Sequence, residues 1–411
     1  MPHHIISKIG TQISSPILHV SAKESPALYT SHTIKTFAQS LIGLFIPIYI
    51  FTLPDIPKFT GNPITDGILL ILIFYLVRSI FALLLMNFIT NTIFGFLNFK
   101  KSIFLGNIFL AVAMILLALT PYSILFLFLS TITFAVETCL YWIPYHLFFI
   151  RKASNADGQY GHTFGIRLLL SQLAWAAGPL LGGLIITFLG FLSLFTLGTV
   201  LIVVSAIPIL FSVHERNHGK HNARHIFERL IRSKSLLNDT IAISATEGDA
   251  LLYAIFWPIL LFIVAESYTK IGVITSISTT ISCLAALIIG NLVDKTGAKF
   301  IHKNGCTING ILYLPRVFLT NIQAIFVLDI ADKLNGILYA VPFNAVMYQH
   351  AKARMHDSDF IIFRAVICHL AIVFFAITTM ALIVVLPSWR YIFIFMAIIS
   401  PFAYLINKKS K

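Results

Sequence analysis

Long apolar stretches alternate with short polar breaks from residue 33 to residue 406. A helix needs about 17–25 mostly apolar residues to cross a bilayer. The pattern divides into twelve such segments: 33–53, 67–94, 103–119, 122–150, 163–188, 191–212, 239–265, 270–293, 304–321, 323–350, 359–386 and 390–406. It therefore predicts an all-α polytopic membrane protein with twelve transmembrane helices. A 26-residue polar stretch, Val213 to Asn238, is the longest break and separates six spans from six more. The expected organisation is a tail over 1–32, a six-helix bundle over 33–212, a central loop over 213–238, a second six-helix bundle over 239–406 and a tail over 407–411.

Short internal matches support two related halves. Tyr141-Trp142-Ile143-Pro144-Tyr145, followed by Arg167, parallels Tyr339-Ala340-Val341-Pro342-Phe343, followed by Arg364. Phe45-Ile46-Pro47-Ile48 parallels Phe256-Trp257-Pro258-Ile259. Periodic self-similarity of this kind is the mark of a duplicated unit.

Composition agrees with the spans: 58% of residues are apolar and 11% charged, against about a quarter charged in soluble domains. The net charge of +13 is distributed by side. With the amino terminus placed in the cytoplasm, the tails and even-numbered connections carry twenty lysines and arginines, and the opposite side only Lys58, Lys270 and Arg390. Basic residues concentrate in cytoplasmic loops. Both termini are thus expected inside, the bilayer is the partner that the charge implies, and nucleic acid is not. Residues 1–32 lack the unbroken apolar core of a cleaved signal peptide. Cys139, Cys283, Cys306 and Cys368 fall in or beside spans and read as buried free thiols.

One polar break resembles a known signature. Gly290-Asn291-Leu292-Val293-Asp294-Lys295-Thr296-Gly297-Ala298-Lys299 follows the pattern Gly-x-Leu-x-Asp-Arg/Lys-x-Gly-x-Lys, which the major facilitator superfamily of secondary transporters places between helices 2 and 3 and between 8 and 9. The corresponding run Gly95-Phe96-Leu97-Asn98-Phe99-Lys100-Lys101 keeps the glycine, leucine and basic pair but loses the acid. In the fifth span, Gly165, Gly178-Pro179 and Gly182-Gly183 resemble the family's antiporter motif, with Ala174 where its second glycine usually stands. The residues themselves also read as a small-residue packing seam. The resemblance implies a fold of two pseudo-symmetric six-helix bundles and a small-molecule substrate. It further implies a cytoplasmic gate in which Asp294, with Gly290, Lys295, Gly297 and Lys299, meets a helix start near Arg167, with Arg364 as the counterpart in the second half.

Charged groups inside spans cost about 2.5–3.5 kcal/mol each at a helix centre, so they mark a pathway or a pair. Five acids qualify: Glu137, Glu247, Asp249, Asp329 and Asp332. All fall on spans 4, 7 and 10, which with span 1 line the cavity in the family, and Lys35 and Gln39 sit in span 1. Glu137 lies near the middle of its span and is the leading candidate for proton coupling or substrate binding, with a structural pair to Arg78 as the alternative. Asp329 and Lys333 are four apart and can pair along one helical face. Arg316 is expected at the same depth, so neutralisation is expected for Asp329 and a cavity position for Asp332. Glu247 and Asp249 are two apart and point to different sides, so at most one is expected to face the cavity. His214, His218, His221 and His225 share a helical spacing in the central loop, yet Gly219 and nearby asparagines oppose a helix, and no metal or cofactor is expected. His369 reads as a packing residue.

The expected function is secondary active transport of a small molecule by alternating access across an inner membrane, coupled to an ion, most simply the proton, with efflux antiport as the direction that the fifth span implies. No Walker A motif is present for ATP-driven pumping. The competing readings are a non-transporting sensor or scaffold of the same fold, and an intramembrane prenyl-transfer enzyme suggested by Asp329-Ile330-Ala331-Asp332. A monomer is expected.

Overall fold

The computed structural model describes residues 25–93, 97–147, 160–211, 236–296, 298–354 and 357–407. Among these residues there is no strand. Helices follow one another as α1 (Ser25–Gly43, resuming as Phe45–Phe51), α2 (Pro63–Phe88), α3 (Phe99–Ala118), α4 (Ile124–Glu137), α5 (160–189), α6 (191–210), α7 (Leu237–Ala265), α8 (Tyr268–Thr296), α9 (Ala298–Tyr313), α10 (Ile322–Arg354), α11 (Asp357–Val385) and α12 (Ile392–Ile399). Among the described residues, each of these helices overlaps one of the twelve segments in the sequence. Eight described stretches combine membrane-crossing length with apolar composition, and one of them, Ser171–Leu210, holds parts of both α5 and α6.

Local chemistry sets the helix ends. Asn62 accepts from the backbone N–H of Ile64 (3.0 Å) and Thr65 (3.2 Å), with Pro63 at the first helical position of α2. Asn98 caps α3 through the Lys101 N–H and Ser123 caps α4 through the Leu125 N–H. Such side chains satisfy donors that the helix itself leaves free. Gly190, at φ 79°, divides α5 from α6, a backbone conformation open to glycine.

The polar run 290–299 differs from expectation. α8 continues through Thr296 and α9 begins at Ala298, so most of the presumed turn is helical. From Asn291 to Thr296 nothing breaks a helix: there is no proline or glycine.

The two halves share buried apolar packing at the end of the bundle away from the termini. Phe45, Ile48 and Ile50 of α1 belong with Ile255, Phe256 and Ile259 of α7 to one core. Phe51 meets Phe262 edge-on at 6.2 Å, and α2 packs along α11. Large apolar side chains such as Leu84, Phe188, Val327 and Phe374 face outward. A surface of that kind suits lipid rather than water.

Candidate functional site

Three lobes adjoin, the first within the first half and the other two between the halves. One, about 410 Å³, is lined from α1, α2 and α4 by residues including Gln39, Arg78 and Glu137. A second, about 500 Å³, shares Arg78, Trp142 and Ser171 with the first and adds Glu247, Arg364 and His369. A third, about 460 Å³, shares Gly43 and Trp175 with the first and reaches Asp249, Tyr253, Trp257, Asp332 and Lys333. Each is the size of a small-molecule site.

Glu137 ends the regular part of α4, where the chain widens into a π-turn over Thr138–Trp142. Wide turns of this kind recur at functional positions. Its partner is Lys35 of α1, with Nζ to Oε1 at 2.7 Å and both side chains sealed from solvent. The expected alternative pair to Arg78 is not the one formed: Arg78 Nη2 donates to the Thr138 hydroxyl at 3.0 Å. The ammonium of Lys35 also sits over the Tyr141 ring, 2.9 Å from its centroid, and the Tyr141 hydroxyl lies 3.0 Å from His32 Nδ1. Glu137 and Tyr141 are four residues apart and so lie on one face of the helix, where Lys35 meets both.

Glu247 and Asp249 of α7 both line lobes, contrary to the expectation that at most one would. The cavity wraps around α7, so side chains pointing to different sides both reach it. Glu247 lies 3.6 Å from Arg364 of α11, which in turn meets His146 Nε2 in the other half at 3.2 Å. Arg364 therefore stands in the cavity wall, not at the end of the bundle where the gate reading placed it. Asp249 accepts from Asn309 Nδ2 at 3.1 Å, while its other oxygen is buried without a hydrogen bond.

Asp332 of α10 has the cavity position expected of it, but it and not Asp329 is the acid that Arg316 neutralises. Arg316 Nη2 bonds Asp332 Oδ1 at 2.6 Å, and its guanidinium lies between the rings of Trp257 (4.5 Å) and Tyr313 (4.4 Å). Asp329 instead accepts from the indole N–H of Trp257 at 2.9 Å. Lys333 lies 3.5 Å from the Tyr253 hydroxyl rather than in an ion pair with Asp329. Three residues turn a helix by roughly 300° and raise it about 4.5 Å, enough to give the two acids different neighbours. Held by separate donors, they do not converge on a common metal position.

The small residues of α5 are contact points. A Cβ on Gly178 would fall 1.9 Å from Ser40 Oγ, and one on Gly182 2.3 Å from the Leu41 carbonyl, both on α1. One on Gly183 would meet the Tyr268 carbonyl of α8 at 2.3 Å, and one on Gly272 of α8 would meet the Pro179 carbonyl at the same distance. The Leu180 N–H donates to Ser276 Oγ at 2.9 Å. Two backbones thus touch across the halves. Gly297 and the four central histidines lie outside the described residues, as do the side chains at Gly165, Arg167, Gly290, Asp294 and Lys295; Lys299 is exposed at the start of α9.

His369 was missed as a cavity residue by sequence reasoning, as was the pairing of Lys35. His369 is buried, lines the largest lobe, and its Nδ1 has no hydrogen-bond partner. A lone histidine in an apolar span carries no signal of which way it points.

A family model described as Major Facilitator Superfamily matches residues 31–358. The chain belongs to the major facilitator superfamily. No curated protein matches it. Among solved structures, this superfamily member is similar to an auto-inhibited POT family peptide transporter, with a TM-score of 0.68 and 10% identity over 92% of this chain and 95% of that one. It is also similar to a POT family transporter in complex with 5-aminolevulinic acid (TM-score 0.69, 12% identity, 93% and 96% covered). A third is a POT family transporter in complex with a thioalcohol-conjugated peptide (0.69, 13%, 93% and 96%). At these identities the likeness is one of fold. The superfamily member is a multi-pass membrane protein with a transporter's architecture.

Proposed function

We propose that this protein is a secondary active transporter that moves a small polar molecule by alternating access, with proton coupling at the Lys35–Glu137 pair. The observation that carries the reading is that pair: 2.7 Å long, with both side chains sealed from solvent and Glu137 lining the first-half lobe that adjoins the cavity between the halves. Ionised, the two groups cancel. A proton on Glu137 removes the partner of Lys35 and leaves a buried cation against the Tyr141 ring, a state that favours a different packing of α1 on α4. A proton thereby acquires different affinities for two arrangements of the bundle, which is the requirement for coupling. Sodium fits less well, since a carboxylate already bonded to an ammonium offers no vacant oxygen cage for a metal cation.

The excess of Lys and Arg on the tail side supports an inner-membrane orientation with both termini in the cytoplasm. The gate formed by Asp294 and the start of α5 remains part of the reading through the family signature. Gly178, Gly182 and Gly183 support close packing of α5 on α1 and α8 whichever way substrate moves. The peptide and 5-aminolevulinic acid named for the similar structures agree with a polar substrate.

The test is flux in proteoliposomes with a pH gradient imposed in each sense, screening cationic dyes, sugars, amino acids and organic acids. Gradient-dependent movement of one class, lost in folded Glu137→Gln, is the expected result. The sense of the gradient that drives uptake separates antiport from symport. Unchanged coupled flux in Glu137→Gln removes the pair from the mechanism.

A further inference from the structure

Arg78 stands in the middle of α2 and faces two of the three lobes. Its described contacts are the Thr138 hydroxyl and the face of the Phe134 ring, 5.1 Å from the guanidinium carbon. Among the described residues it makes no ion pair within 4.0 Å. Glu137, linked to it through Thr138, is engaged by Lys35. In the largest lobe Glu247 is engaged by Arg364. Among the described residues of that lobe, two guanidinium groups face one carboxylate, and one positive charge is left over at Arg78.

The helix packed along α2, α11, supplies a second polar group to the same lobe. His369 of α11 lines the same lobe as Arg78, is 6% exposed, and keeps an unpartnered Nδ1. A half-buried cation without a counter-ion and a buried ring nitrogen without a hydrogen bond are each costly inside a membrane protein. One anionic group between them would satisfy both.

We propose that the lobe between α2 and α11 binds the carboxylate of a small monoanionic organic molecule, held by the guanidinium of Arg78 and the Nδ1 of His369. The planar fork of an arginine matches the two oxygens of a carboxylate. A phosphate dianion would overcompensate the single surplus charge and leave a net negative charge in the bundle centre. Trp142, Ile143, Ile361 and Ile372 line the remainder of the 500 Å³, which accommodates an apolar organic body. Because α2 and α11 come from opposite halves, a bound carboxylate would bridge them and favour the arrangement in which they are close. This assignment deepens the transport reading by naming the substrate's charge, and it rests on the cavity being the substrate route.

The experiment measures binding apart from flux. Purified protein in lipid nanodiscs is titrated with benzoate, with its neutral counterpart benzamide and with inorganic phosphate, following thermal stability. Saturable stabilisation by benzoate alone is expected. Arg78→Gln should weaken it about tenfold or more, the loss of a charge-assisted hydrogen bond. His369→Phe should weaken it less, and Arg78→Lys should retain part of it, which also controls for misfolding. Equal effects of benzoate and benzamide, a preference for phosphate, no saturable effect of benzoate, or benzoate binding unchanged in Arg78→Gln would each overturn the site. Benzoate binding through Arg78 without any flux would leave the site standing and sink the transport reading. Coupled flux of a cation that ignores Arg78→Gln would do the reverse.

Discussion

Asp329 and Asp332 stand one turn apart on α10, yet the structure gives them unequal weight. Asp332 is the ion-pair partner of Arg316, a guanidinium with no solvent exposure. Removing one member of a buried pair leaves the other uncompensated, at a cost of about 3–5 kcal/mol. Asp332→Asn is therefore expected to lower thermal stability sharply in detergent. Asp329→Asn keeps an oxygen to accept from Trp257 and should cost about 1 kcal/mol. Unfolding midpoints for the two variants side by side decide the assignment, and the opposite order would return Arg316 to Asp329. The same logic applies to Lys35, whose partner Glu137 is three helices further along the chain and 102 residues distant in sequence.

At the scale of helices, the contact of α5 with α8 depends on the absence of side chains. Gly183 and Gly272 each face a carbonyl of the other helix at a distance no Cβ can occupy. Gly183→Ala should force these helices apart at the end of the bundle away from the termini. With Ser276→Cys as reporter, the substitution is expected to raise the rate of labelling by a membrane-impermeant thiol reagent, since Ser276 is buried in that contact and bonded to the Leu180 N–H. Equal labelling of the two proteins would show that the seam tolerates a methyl group.

For the whole molecule, alternating access requires that the closure between α1 and α7 open in each cycle. Phe51 and Phe262 meet across it with centroids 6.2 Å apart. A cross-link between Phe51→Cys and Phe262→Cys is expected to arrest flux, and reduction to restore it. Full flux with the cross-link in place would mean that the halves do not separate there. The charges of the cavity also make sense only at this scale, because Arg364 touches Glu247 in its own half and His146 in the other.

The number and nature of the helices, their expected orientation and the presence of costly charges in spans 4, 7 and 10 follow from the sequence, since apolar length, basic bias and intramembrane acids are one-dimensional properties. The partners were not legible in the same way. Which acid meets Arg316, whether Lys35 or Arg78 meets Glu137, and whether His369 faces lipid or cavity depend on helix rotations of a few tens of degrees. Those are fixed by packing between elements distant in sequence, and only the tertiary structure decided them.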